Sequence, residues 1–113
     1  MQHLIDELRV KLEKKMYEQA KLYYDLQQYQ SATQSFTNVL QEFPDTDNAE
    51  DIRYMIVKSA FRLASNSIYD KRKERYEEAI RLAESYRERY PKSDYRREMS
   101  EIINDSKSAV KEL

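Results

Sequence analysis

Among the side chains suited to acid–base chemistry or metal binding, this sequence offers mainly carboxylates. The 113 residues include 21 Asp and Glu, a single histidine, His3, and no cysteine. Metal centres and general bases usually need His, Cys and carboxylates gathered in one place. The missing cysteine excludes disulfides, thiol nucleophiles and Cys-based zinc sites. We therefore predict no metal, no cofactor and no catalytic residue, and we expect His3 to be a solvated terminal residue.

Glycine is absent as well, which removes a second group of chemistries. Phosphate-binding loops, dinucleotide-binding turns, EF-hands and nucleophile elbows all use glycine for left-handed turns or close backbone approach. Carboxylates spread along helices still pair at catalytic spacing by chance, so a weak hydrolase or an enzyme accessory domain stays an open alternative. The favoured prediction is that the chain is not an enzyme and has no small-molecule substrate.

The charges nearly balance, with 20 Lys and Arg and a formal net charge of -1. A nucleic-acid surface needs an excess of basic residues, so we predict no nucleic-acid partner. No apolar run is long enough to span a bilayer, and the first residues do not predict a signal peptide. Helical pattern follows Met1 at once, which leads us to expect a piece of a longer protein.

Aromatic side chains are the remaining candidates for a function, which would be binding. The segment KLYYDLQQYQSATQSFTNVLQEFPDT carries Tyr23, Tyr24, Tyr29 and Phe36 within 26 residues. Rings bury a large area at low entropic cost, which suits a binding surface and a packing seam equally. The elements that hold the rings decide between these roles.

Apolar residues recur at steps of three and four along most of the chain, which predicts helices. The first helix is expected at 4–26, with one packed stripe formed by Ile5, Leu8, Leu12, Met16, Ala20 and Tyr23. The second is expected at 29–42 and the fourth at 74–90, and Pro44 and Pro91 would end them.

The third helix is predicted to begin at a capping box formed by Asp47 and Glu50. This would explain half of an acidic cluster that also contains Asp45 and Asp51. Its wide apolar face predicts the central, most buried helix. A polar joint, YDKRKE, is expected between the third and fourth helices, and a fifth helix carries Met99, Ile102 and Ile103.

An internal repeat organises these helices. YQSA…EFPDTD matches YEEA…RYPKSD at a constant offset of 47 residues, so that Tyr29 corresponds to Tyr76 and Pro44 to Pro91. Repeated helix pairs are typical of an α-solenoid. We predict one domain over 1–113, divided into a first repeat at 1–47, a second at 48–94 with a longer joint between its helices, and a terminal helix at 95–113.

The repeated unit resembles a tetratricopeptide repeat, with Ala20, Tyr23, Tyr29, Ala32, Phe36 and Pro44 at the expected spacing. The resemblance implies an all-α, right-handed α-solenoid of two helix pairs plus a C-terminal helix. It also implies that Tyr23, Tyr29 and Phe36 pack the two helices of the first pair against each other. Gln27 stands where such a turn normally has glycine, so the turn must be right-handed or strained. Ala60 and Ala79 lie seven residues further apart than Ala20 and Ala32, which predicts the longer joint around Lys71.

A closer resemblance covers nearly the whole chain. The extended first helix, KLEKKMYEQAKLYY, the FPDT turn and the tail SKSAVKEL resemble the C-terminal repeats of the BamD-like family of outer-membrane β-barrel assembly lipoproteins, in its Bacteroidetes form. The family implies a protein-binding scaffold on the periplasmic face of the outer membrane, docking on the periplasmic region of the barrel-assembly protein. The lipidated cysteine of the family is missing, so the chain would be a soluble fragment, with membrane attachment only through that absent anchor.

Two surfaces are candidates for the partner. In a tetratricopeptide repeat, residues beside the seam on the first helix of each pair face the concave groove. This places a concave row at Lys14, Tyr17, Lys21, Tyr24, Asp25, Tyr54 and Phe61. Aromatic rings beside charge suit a protein partner, but neighbouring helices would equally cover them. The second candidate is the basic joint of Lys71, Arg72, Lys73 and Arg75. A generic tetratricopeptide adaptor of another pathway stays an open alternative function.

Overall fold

The computed structural model describes residues 2–113, with side chains from Leu4 onward, and over this range the chain is all α-helix. The five helices are α1 (Gln2–Asp25), α2 (Tyr29–Glu42), α3 (Ala49–Ser65), α4 (Tyr69–Arg89) and α5 (Arg96–Lys111). The all-α prediction is confirmed. The side chain of His3 lies outside the described part, so the expectation for it is untested.

Each helix packs mainly against the helix before it and the helix after it, which produces an elongated body of 57 × 30 × 18 Å. The core has two clusters. One lies among α1, α2 and α3 around Ala32, Phe36 and Ile52, and the other among α3, α4 and α5 around Met99 and Ile103. Because α3 contributes to both clusters, its wide apolar face indeed marks the central helix.

The two proline turns have the same backbone hydrogen bonds. The amide of Phe43 donates to the carbonyl of Val39 at 2.8 Å, and the amide of Tyr90 donates to that of Tyr86 at 2.9 Å. The prolines that follow cannot extend either helix, because the ring clashes with the preceding turn and lacks an N–H. The 47-residue offset found in the sequence therefore also relates the two turns in their geometry.

The longer joint predicted in the second pair is wrong. The segments between α1 and α2 and between α3 and α4 each have three residues, 26–28 and 66–68. The seven extra residues instead lengthen the beginning of α4, so YDKRKE forms its first turns. Seven residues are close to two full turns at 3.6 residues per turn. The insertion therefore leaves Tyr76 and Ala79 on the buried face, where both lie.

The turn after α1 is left-handed at Gln27, with φ of 62°. The amide of Gln28 donates to the carbonyl of Tyr23 at 2.9 Å, and the amide of Gln27 donates to that of Tyr24 at 3.0 Å. This pair of bonds defines a Schellman motif, whose left-handed residue is usually glycine. Of the two conformations left open by the sequence, the chain takes the strained one.

The predicted capping box is wrong. The residue that precedes α3 is Asn48, and no side chain caps the helix there. Glu50 instead reaches across the second repeat to the end of α4 and the turn after it, where its Oε2 accepts hydrogen bonds from Tyr86 Oη at 2.7 Å and Ser93 Oγ at 2.6 Å. These bonds, that from Ser93 foremost, hold the pKa of Glu50 below its ordinary value. The carboxylate thus ties the start of α3 to the turn between α4 and α5.

The predicted packed stripe of α1 is correct only in its second half. Ala20 is buried and Met16 and Tyr23 are half-buried, but Ile5, Leu8 and Leu12 are 54%, 58% and 47% exposed. The reason is length, because α1 has 24 residues and its partner α2 has 14. The first half of α1 extends past the helix that covers the second half.

Candidate protein-binding face

The four aromatic residues of the predicted row are all half-buried, and each packs one side of its ring on the protein. Tyr17 meets Phe36 edge-on at 5.6 Å between ring centroids, and Tyr24 meets Tyr29 edge-on at 5.4 Å. On α3, Tyr54 and Phe61 are likewise half-buried. The rings are therefore part of the packing, yet each keeps an exposed portion that a partner could cover.

Tyr54 has the strongest contacts of the four. Its ring stacks on Tyr95 at 3.9 Å, and its hydroxyl donates to Glu98 Oε1 at 2.7 Å. Burial, followed by this hydrogen bond to a carboxylate, raises the pKa of the Tyr54 phenol well above its ordinary range. The phenol therefore stays protonated and keeps Glu98 in place on α5.

Lys58 joins the aromatic residues of α1 to those of α3. Its Nζ lies 5.9 Å from the centroid of Tyr24 and 5.3 Å from that of Tyr54, and 3.8 Å from Glu98 Oε2. An ammonium within about 6 Å of a ring face is attracted by the ring quadrupole. The side chains around Lys58 thus form one connected surface across α1, α3 and α5. We call this surface the aromatic face, consisting of Tyr17, Tyr24, Tyr54, Lys58, Phe61, Tyr95 and Glu98.

Sequence reasoning missed Lys58, Tyr95 and Glu98. Lys58 follows Tyr54 by four residues on α3 and so shares its side of the helix, a signal that was present in the sequence. Tyr95 and Glu98 lie at the start of α5, and only tertiary packing brings them to Tyr54.

The charged residues of the predicted row, Lys14, Lys21 and Asp25, do not all lie together. Lys21 forms an ion pair with Asp25 at 3.2 Å, and its Nζ lies 5.9 Å from the Tyr24 ring. Lys14 is exposed and, with Tyr17 and Asp51, lines a shallow cavity of about 340 Å³ between α1 and α3. The structure therefore brings Lys21 and Asp25 together beside Tyr24, whereas Lys14 lies beside Tyr17.

A second cavity lies between α3 and α5, with a volume of about 190 Å³, and Phe61, Lys58 and Glu98 line it. The first cavity thus lies on the α1 side of α3 and the second on its α5 side. Burial, and then the nearby Asp51, raise the pKa of Tyr17, so this ring also presents a neutral hydroxyl. The arrangement can offer apolar ring surface, hydroxyl groups and one cation to a bound chain.

The basic residues predicted as a joint lie on α4, two of them half-buried and two exposed. Arg72 is half-buried over the ring of Tyr76 at 5.9 Å, and Arg75 donates to Ser67 Oγ at 2.6 Å. Lys71 and Lys73 are exposed. Two of the four cations thus have partners within the protein, Arg72 on its own helix and Arg75 in the turn between α3 and α4.

Within the described residues, no group of His, Cys, Asp and Glu is arranged to hold a metal ion. Nor does any described helix combine the length and the apolar character needed to cross a membrane.

Comparison with protein families shows to which family the chain belongs. Residues 8–112 match the model of the outer membrane lipoprotein family YfiO. The chain belongs to this family. The match covers both proline turns and all of α2 to α5, and no curated protein matches the chain significantly. In this YfiO member the aromatic face lies wholly within the matched residues.

Proposed function

We propose that this chain is a non-catalytic scaffold of outer-membrane β-barrel protein assembly. It would bind the periplasmic region of the barrel-assembly protein through the aromatic face. Membership of an outer membrane lipoprotein family supports the setting. Full-length members would then work at the periplasmic face of the outer membrane, held there by a lipid.

The observation that supports the aromatic face is the half-burial of its rings. Interface hot spots are rich in Tyr and Arg and lie in packed, readily desolvated positions. Rings already fixed by neighbours lose little side-chain entropy when a partner covers them. Tyr24 and Tyr54 meet this condition, because each packs one side and leaves the rest exposed beside Lys58.

The test measures binding to the purified periplasmic region of a barrel-assembly protein from the same organism. Replacing Tyr24 with Ala should raise the dissociation constant by about thirtyfold, equivalent to about 2 kcal/mol, mainly through faster dissociation. Lys58→Gln should act in the same direction. Helical content measured by circular dichroism confirms that each variant remains folded.

Two controls define the surface. Tyr69 is an exposed tyrosine on α4, so Tyr69→Ala removes the same group away from the aromatic face. The double change Lys71→Gln with Lys73→Gln removes exposed charge and should mainly slow association at low salt. If Tyr24→Ala and Lys58→Gln bind like the parent while the lysine pair abolishes binding, the aromatic face is not the docking surface.

A further inference from the structure

A separate groove runs between α2 and α4 and has α3 as its floor. Its volume is about 350 Å³, and its apolar lining includes the half-buried Leu40 and Leu82 and the buried Ile56. None of its lining residues belongs to the aromatic face or to the two cavities that adjoin that face. We call it the arginine groove, because Arg53, Arg81 and Arg89 line it.

The three arginines differ in how their charge is balanced. Arg81 is bound to Glu78 on its own helix, with Nε to Oε2 at 2.9 Å, and this contact raises the pKa of the guanidinium. Arg53 donates to the neutral hydroxyl of Tyr90 at 2.8 Å, and Arg89 is exposed. In the described part of the chain, no carboxylate lies within ion-pair distance of Arg53 or Arg89.

Arg53 is the informative residue of the groove. It is half-buried, and its only hydrogen-bond partner among the described groups is a phenol, so most of its five N–H donors are unused. A partly desolvated guanidinium favours a carboxylate that accepts two parallel hydrogen bonds. Two acids precede Arg53 closely in the sequence. Glu50 is already engaged by Ser93 and Tyr86, and Asp51 lines the cavity beside Lys14 and Tyr17 on the other side of α3.

We propose that the arginine groove binds an acidic segment of a partner protein, whose carboxylates pair with Arg53 and Arg89 and whose apolar side chain covers Leu40 and Leu82. Because the groove is lined by more positive than negative charge, the bound segment should be negatively charged. The apolar lining selects a protein segment over an inorganic anion or a lipid headgroup, because neither of those would cover the leucines. This surface is additional to the docking face proposed above.

The experiment uses a set of fluorescent peptides of about twelve residues in which Glu and Leu recur at spacings from two to four, covering extended and helical segments. Fluorescence anisotropy gives the dissociation constant for each. We expect at least one to bind, with affinity that falls steeply as salt is added. The same peptide with every Glu replaced by Gln should not bind.

Replacing Arg53 and Arg89 together with Gln should weaken the peptide roughly tenfold or more, since each loses a charge-assisted bond. Arg87→Gln with Arg97→Gln is the matched control, because it removes the same charge from exposed positions outside the groove. Tyr24→Ala should leave peptide binding unchanged, which separates this result from that for the aromatic face.

Three outcomes would overturn the proposal. The first is that no peptide of the set binds. The second is that the two double variants weaken binding equally, which would indicate general charge attraction. The third is that the Gln peptide binds as well as the Glu peptide. Vesicles containing anionic lipid provide the remaining comparison, and binding to these in place of the peptides would assign the groove to a membrane surface.

Discussion

At the scale of single residues, Gln27 is the clearest case of local strain. Its left-handed backbone is costly for a residue with a Cβ and nearly free for glycine. The Schellman hydrogen bonds around it hold the turn in place, so the strain is not relieved by another conformation. The sequence alone pointed to this position, because glycine is usual there and absent here.

Replacing Gln27 with Gly should raise the free energy of unfolding by up to about 1 kcal/mol, less the entropy that glycine adds to the unfolded chain. Urea denaturation followed by circular dichroism measures the change. Gln28→Gly is the control, because Gln28 has φ of -91° and gains nothing from glycine. Equal loss of stability in both variants would show that the turn is not strained at Gln27.

The residues of the aromatic face show how far sequence reasoning reaches at this scale. Repeat spacing placed Tyr24 and Tyr54 on one side of the first helix of each pair, and the structure joins them through Lys58. Repeat spacing does not predict Glu98, since the hydrogen bond between Tyr54 and Glu98 depends on how α5 packs against α3. Helical periodicity gives the side on which a residue lies, whereas a contact between helices needs their packing.

At the scale of elements, the helix boundaries were predicted well where a proline or a loop residue ends the helix, and poorly where polar residues continue it. Pro44 and Pro91 located the ends of α2 and α4 within a residue or two. YDKRKE has no residue that breaks a helix, and it extends α4. A run of charged residues predicts a loop, although Lys, Arg and Glu are also good helix formers.

Glu50 also acts at this scale, because its carboxylate connects α3 to the turn before α5. Its pKa in the folded protein is lowered from an ordinary value of 4.5. A lowered folded pKa means that the stabilisation is present above the unfolded pKa and is lost as pH falls through the folded value. We therefore expect the melting temperature of the parent to fall as the pH is lowered below about 4.5.

Replacing Glu50 with Gln should lower the melting temperature at pH 7 and flatten its dependence on pH below 4.5. Thermal melts from pH 7 to pH 3 measure both effects. Glu88→Gln removes an exposed carboxylate of α4 and serves as the reference for the general loss of negative charge. A Glu50→Gln curve parallel to that of the parent at every pH would exclude the bridging role.

At the scale of the whole molecule, the two core clusters depend on close approach of neighbouring helices. Ala32 and Ala79 are fully buried at equivalent positions of the two repeats. Their small side chains let α2 and α4 approach the helices beside them. The internal repeat made this predictable, because small residues recur at the 47-residue offset where helices of each pair cross.

Replacing Ala32 with Leu should overpack this contact and lower the free energy of unfolding by about 1–3 kcal/mol. Ser31 is its exposed neighbour on α2, so Ser31→Leu adds the same side chain without crowding the core. Chemical denaturation compares the two. A parent-like midpoint for Ala32→Leu would contradict the close packing of α1 and α2.

The sequential packing of the helices has a consequence for kinetics. Because each helix packs chiefly on its immediate neighbours, the native state needs few contacts between distant parts of the chain. Chains dominated by local contacts fold in about microseconds to milliseconds. The chain has ten tyrosines and no tryptophan, so a temperature jump observed by tyrosine fluorescence reports the rate directly. Relaxation on the scale of seconds would mean that α5 and α1 reach their places by a slower, non-local search.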